Sequence, residues 1–268
     1  MKRKPRSFFI LSGSAGLLGA AAAATGLIRP ELYERDSVSM AAQAVGQDLV
    51  TLLVAAPLLL ISATMAHKGS VRGRLIWLGA LAYFLYTYTV ALFGLRFNPL
   101  FLVYVAIFSC SLYALILGLK SLDVEELKGQ FSPKTPRRTA AGMIIIFSAA
   151  FALIWLKGIV PPMLTGGVPD MLLEEAPTLV VQILDLGVLI PLGIATGILL
   201  LRDRPWGYAL VTILLVKFTA LALAIMSMMI FMGRAGVAVS AAGVVFASIA
   251  LVVVVGLLVV FLRGIAKV

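Results

Sequence analysis

Lys217 stands in the middle of an apolar run, 206–232, that holds no other charge, and Asp185 interrupts a second run, 179–201. Charge at membrane depth costs roughly 2.5–3.5 kcal/mol per residue on insertion scales, so it marks function more often than chance would. A deep carboxylate can carry a proton, a deep ammonium can hold an anionic group, and the two together can form an ion pair that fixes helix register. The runs are joined by a very short turn, so they are antiparallel neighbours. Counted from that turn, Asp185 lies about 24 Å up its helix and Lys217 about 16 Å up its own. A lysine side chain spans roughly that difference in height. Gln182, three residues before Asp185, shares its face.

A related set occurs earlier in the chain. Asp48 lies at a height similar to that of Asp185, and Tyr88 follows Trp77 at the spacing by which Lys217 follows Trp206. Tyr83, Tyr86 and Thr87 share one helix face. Arg96 and Asn98 close the end of this helix, with Tyr104 a little beyond. Asp185, Lys217, Gln182, Asp48, Tyr88 and Arg96 are therefore the candidate ligand-binding residues of a polar pocket opening outward. The competing readings are a structural Asp185–Lys217 ion pair, Asp48 and Arg96 solvated among headgroups, and tyrosines that serve only as interfacial belt residues.

Other chemistries are disfavoured. His67 is the single histidine, which excludes bis-histidine haem ligation and argues against a Ser-His-Asp triad. Cys110 is the single cysteine, so no intramolecular disulfide or CxxC pair can form. No HExxH, metal-spaced carboxylate cluster or phosphate-binding glycine loop is present. A Schiff-base pigment at Lys217 is disfavoured by its sparse aromatic surroundings. No cofactor or metal is expected, and the balance leans away from an enzyme.

The elements that position these residues are membrane spans. The chain of 268 residues is 62% hydrophobic and 13% charged, too few charges to cover a soluble surface of that size. Eight runs are long enough to cross a bilayer: 8–28, 46–66, 75–95, 99–119, 139–159, 179–201, 206–232 and 237–262. The first also fits a signal peptide, although its length favours a retained span. The expected fold is an all-α polytopic bundle whose partner is the lipid bilayer.

The net charge of +10 has a topological cause. With the N-terminus cytoplasmic, the inner segments hold Lys2, Arg3, Lys4, Arg6, Lys68, Arg72, Arg74, Lys120, Lys128, Lys134, Arg137, Arg138, Arg202, Arg204, Arg263 and Lys267. The outer segments hold only Arg29, Arg35, Arg96 and Arg234, with the acids Glu31, Glu34, Asp36, Asp48, Asp170, Glu174 and Glu175. This bias places both termini in the cytoplasm and makes anionic lipid, not nucleic acid, the counter-charge. Trp77, Trp155 and Trp206 fall where an aromatic belt is expected.

The order of features points to two parallel four-helix repeats, 1–128 and 139–268, joined by a cytoplasmic linker, 129–138. Paired arginines, a tryptophan and a glycine enter both the third and the seventh span. An Asp-Leu and a Pro-Leu recur in the second and sixth. The stretch from Lys120 to Arg138 reads as a helix extension followed by a solvated, turn-rich linker. Asn98-Pro99 and Arg204-Pro205 read as helix starts. Ser12, Gly16, Ala20, Ala24, Gly193 and Gly197 suit close helix packing.

The stretches Gln47-Asp48-Leu49-Val50, Tyr83-Phe84-Leu85-Tyr86-Thr87-Tyr88, Phe97-Asn98-Pro99-Leu100-Phe101 and Leu184-Asp185-Leu186-Gly187 resemble a group of uncharacterised multi-pass bacterial membrane proteins. The resemblance implies a bacterial plasma-membrane setting and brings no activity with it. The leading expectation is a protein that binds or transports a small solute or lipid-related molecule. The alternatives are a membrane-embedded enzyme using Asp185 and Lys217, and a non-catalytic membrane subunit with a structural ion pair.

Overall fold

The computed structural model describes residues 6–172 and 178–265. Lys2, Arg3, Lys4, Lys267, Glu174 and Glu175, which enter the charge count, lie outside the described residues. Eight helices are long and apolar enough to cross a membrane: α1 Arg6–Ile28, α2 Val38–His67, α3 Val71–Gly94, α4 Phe101–Lys120, α5 Arg137–Thr165, α6 Val180–Leu201, α7 Pro205–Arg234 and α8 Ala241–Gly264. The chain is an all-α, multi-pass integral membrane protein.

Several boundaries differ from expectation for local reasons. Helix α2 starts eight residues early, because the Ser37 side chain accepts a hydrogen bond from the Met40 amide and caps it. Helix α5 runs on through Pro161 and Pro162 to a left-handed Gly166. Asn98-Pro99 forms a turn ahead of α4 instead of its first residues, with Asn98 Oδ1 accepting from the Leu100 amide. Arg204-Pro205 does start α7.

Helices α2 and α6 share an unusual device. Residues Thr51–Ala55 and Asp185–Leu189 wind as π-helix. Each wide turn precedes a proline, Pro57 or Pro191, whose ring would clash with the carbonyl four residues back. That carbonyl belongs to Leu53 or Gly187, inside the wide turn, which opens to accommodate the ring. The π segments, the prolines and the next helix starts, Val71 and Pro205, are offset by the same number of residues. In this register Asp48 corresponds to Gln182, Thr51 to Asp185 and Tyr83 to Lys217, which differs from the pairing of Asp48 with Asp185 and of Tyr88 with Lys217.

Helices α3 and α7 are the most buried, at 56% each. Helix α7 packs on α2, α3, α6 and α8. Glycines allow its closest approaches. A Cβ on Gly79 of α3 would lie 2.4 Å from Val216 Cβ, and one on Gly46 of α2 would lie 2.7 Å from the Met228 backbone. Gly16 meets Leu60 of α2, and Gly193 and Gly197 meet Ser148 and Ile145 of α5, as their spacing suggested.

The loops rich in basic residues gather at one end, where the linker is exposed over 132–134, as a solvated linker would be, but is anchored on either side by buried Phe131 and Thr135. A separate short helix, Val124–Gly129, is capped by Asp123 and lies on α7. Phe131 is buried against the rings of Tyr208 and Phe261, at 5.1 and 6.1 Å. It pairs with Ile265, whose carbonyl also accepts from Arg72. Asp203, a non-glycine residue at φ 57°, collects the contacts of the α6–α7 turn. Lys128 Nζ donates to its carbonyl at 2.7 Å and its carboxylate at 2.9 Å, and the Tyr208 hydroxyl donates at 2.8 Å. Arg137 Nη1 lies 2.7 Å away as an ion pair whose angles do not make a hydrogen bond. The bonds from Lys128 and Tyr208 hold the Asp203 carboxyl below its ordinary range.

Two predictions follow from this packing. Gly79→Leu must overpack the α3–α7 contact, so its melting temperature in detergent should fall by the equivalent of about 1–3 kcal/mol. Gly13→Leu, whose new Cβ would meet nothing within 4 Å, is the control. A depressed carboxyl contributes stability that is present above its unfolded value, near ~3.9, and lost as pH falls through its folded value. The protection factors of amides around Phe131 and Thr135, taken against the intrinsic rate at each pH, should therefore be high at neutral pH and fall in acid. In Asp203→Asn they should be low throughout. Equal protection in the two proteins at neutral pH would remove the ion cluster from this account.

Candidate functional site

The candidate residues separate into two polar groups. The deep group joins four spans. Asp185 begins the π segment of α6 and is partly exposed. Its Oδ1 accepts from the Tyr86 hydroxyl of α3 at 3.0 Å, and its Oδ2 accepts from Trp155 Nε1 of α5 at 2.9 Å. Lys217 of α7 is 1% exposed. Its Nζ has no hydrogen-bond partner and sits over the Tyr86 ring, 3.8 Å from the centroid, with Phe218 at 4.7 Å. The two charges thus meet through Tyr86, whose hydroxyl faces the carboxylate while its ring faces the amine. The direct ion pair considered from the sequence does not form. An aromatic ring occupies the space between the charges, and both carboxylate oxygens already have donors. Gln182 is buried on the turn before Asp185.

The shallower group lies towards the end opposite the basic loops. Tyr33, in the 3-10 turn Pro30–Tyr33, donates to Asp48 Oδ2 at 2.7 Å. Its hydroxyl is 3.5 Å from that of Tyr104. Gly26 of α1 abuts the same carboxylate, where an added Cβ would lie 1.9 Å from Oδ2. Tyr88 packs on the Tyr104 ring at 5.7 Å, and its hydroxyl donates to the Gly19 carbonyl at 3.5 Å. Tyr88 therefore belongs with Asp48 and is not a wall beside Lys217. Gln47 of α2 hydrogen-bonds Tyr83 of α3, close to Thr51 and Thr87.

Arg96 is at the rim. Its backbone amide donates to Asp36 Oδ1 at 2.9 Å, which ties the loop after α1 to the loop before α4. Arg96, Asn98, Phe97, Phe101 and Tyr104 line a cavity of about 120 Å³. Burial raises the Asp36 carboxyl above its usual range, opposed by the Arg96 amide and charge. Burial and the neighbouring Asp48 carboxylate hold the Tyr33 phenol far above its ordinary value, so it remains a donor.

Comparison with protein-family models, with curated proteins and with solved structures finds no match. The site must therefore be interpreted from its own chemistry. Among the described residues no group of three His, Cys, Asp or Glu side chains could hold a metal ion. The deep group can stabilise a carboxylate between a phenol and an indole, with an amine nearby. The shallow group can connect a cavity to a carboxylate through two phenols.

Sequence reasoning missed Tyr33 and assigned Trp155 to the belt. The signal for Trp155 was its indole N–H, which needs a partner once buried. Trp155 is half-buried; Trp77 is buried, donating to Ser12 Oγ at 2.8 Å, while Trp206 remains exposed as a belt residue would. For Tyr33 no periodicity exists, because it lies in a loop.

The cost of Lys217 can be tested. Removing an ammonium from water costs several kcal/mol, whereas a cation–π contact returns about 0.5–2 kcal/mol. Lys217→Met keeps the volume and removes the charge, so it should leave the melting temperature in detergent unchanged or raise it. A fall as large as that of a core truncation would make Lys217 a structural counter-charge for Asp185.

Proposed function

We propose that the protein binds or transports a small solute or lipid-related molecule. The entrance is the cavity at Arg96, Asn98 and Tyr104. Asp48 forms its first charged layer, and Asp185, Tyr86 and Lys217 form a deeper one beside Gln182. The observation that carries this reading is the cavity itself, whose Tyr104 wall leads through Tyr33 to a membrane-embedded carboxylate. The π segments in α2 and α6 support it, because broken or widened helices recur beside transport sites, where freed carbonyls and mobile turns are useful. Lys217 supports it as well, as a charge that packing alone gives little reason to keep.

In this reading the protein occupies a bacterial plasma membrane. The basic end, with both termini, faces the cytoplasm, and the cavity faces outward. The matched π–proline devices are the hinges of two parallel four-helix repeats.

Two measurements test it. In a Cys110→Ala background, Phe97→Cys, at an exposed position of the cavity rim, should react with a membrane-impermeant maleimide in intact cells. Labelling only after permeabilisation would reverse the orientation. Vesicles containing the protein should accumulate at least one member of a metabolite panel over empty vesicles, and Asp48→Asn and Lys217→Met should each reduce that uptake by about tenfold or more. A specific protein that co-purifies, with no uptake of any solute, would favour a membrane subunit instead.

A further inference from the structure

Among the described residues Asp48 is a carboxylate without a cation. No Lys, Arg or His side chain among the described residues forms an ion pair with it, and its hydrogen-bond partner is Tyr33. The elements around it present phenols and backbone. Helix α1 offers Gly26 and Gly19, the turn after it offers Tyr33, α3 offers Tyr83 and Tyr88, and α4 offers Tyr104. Helix α7 approaches α2 at Gly46 through Ser227 and Met228. The interior charge of α7, Lys217, is engaged at Tyr86. Asp36 and Arg96 lie at the rim beyond Tyr104. The site is built closely, since Gly26 leaves no room for any side chain against Oδ2. A bare carboxylate in such surroundings is costly, and the ligand that neutralises it with the least volume is a proton.

We propose that Asp48 is a proton-binding site, loaded from the cavity through the hydroxyls of Tyr104 and Tyr33. Each phenol both donates and accepts, so the pair forms a relay. A proton from solvent binds the Tyr104 oxygen as the Tyr104 hydroxyl proton passes to the Tyr33 oxygen. The Tyr33 proton passes in turn to Asp48 Oδ2. Each phenol ends with one proton, the carboxylate becomes a carboxylic acid, and no electron is transferred. The 3.5 Å between the two hydroxyls is longer than the usual O–H···O distance, so closing that gap is the slow step. The route rests on the cavity assigned above as the entrance, and it makes the proton the coupling ligand of that site.

The test needs no solute. Infrared difference spectra between acidic and neutral pH are recorded on the full-length protein in lipid vesicles. The wild type should show the carbonyl stretch of a protonated, slowly deuterated carboxylic acid. Asp48→Asn should lose that band, and Asp185→Asn should keep it. Tyr104→Phe should keep it as well, while its deuterium exchange slows by about tenfold or more. A band that persists in Asp48→Asn overturns the site. Unchanged exchange in Tyr104→Phe overturns the route, and that variant still tests the proposal if Asp48→Asn fails to fold. A vesicle that takes up no solute but shows the Asp48 band would refute the transport reading and leave the proton site standing.

Discussion

The close approach of α7 to α2 and α3 sets the position of Lys217 and of the ring it faces. It depends on Gly46 and Gly79, where the partner helix comes within the radius that any side chain would occupy. Between membrane helices no hydrophobic force draws the surfaces together, and backbone proximity supplies the dispersion contact that does. With α7 seated at that depth, Lys217 falls beneath the ring of Tyr86 and away from lipid. Tyr86 is then the element through which the amine and the carboxylate of Asp185 share one environment. Trp155 completes the carboxylate's donors and ties α5 into the same group.

A second constraint is the need to satisfy backbone groups in a medium without water. A proline inside a spanning helix frees a carbonyl, and the π turns at Thr51–Ala55 and Asp185–Leu189 are where the helices absorb it. These turns coincide with polar residues in both helices. Thr51 donates to the Gln47 carbonyl within α2, and Asp185 opens the turn in α6. Local widening and polar chemistry therefore occupy corresponding positions in α2 and α6.

The two ends of the bundle are organised differently. At the basic end, Phe131, Ile265, Arg72, Lys128 and Asp203 tie the linker to α7, α8 and the first turn of α3. At the other end, the Arg96 amide donates to Asp36 and the Tyr33 hydroxyl reaches Asp48 and Tyr104, beside a cavity.

The sequence by itself determined the spans, because a bilayer demands about 20 apolar residues and the chain holds eight such runs. It also marked Asp185, Lys217 and Asp48, since charge inside an apolar run is visible without any structure. Helix rotation was not visible. Spacing along one chain gives height through the 1.5 Å rise, but which side chain faces which neighbour depends on packing between helices distant in sequence. Hence Tyr86 as the bridge, Trp155 as a donor to Asp185 and Tyr88 as a partner of Tyr104 emerged only from the tertiary structure. Tyr33 and Phe131 lie in connections whose docking no periodicity encodes. The π turns were half legible, through Pro57 and Pro191. The tertiary structure decided that each would open as a wide helical turn, which keeps the carbonyl freed by the proline inside the span, where no water can satisfy it.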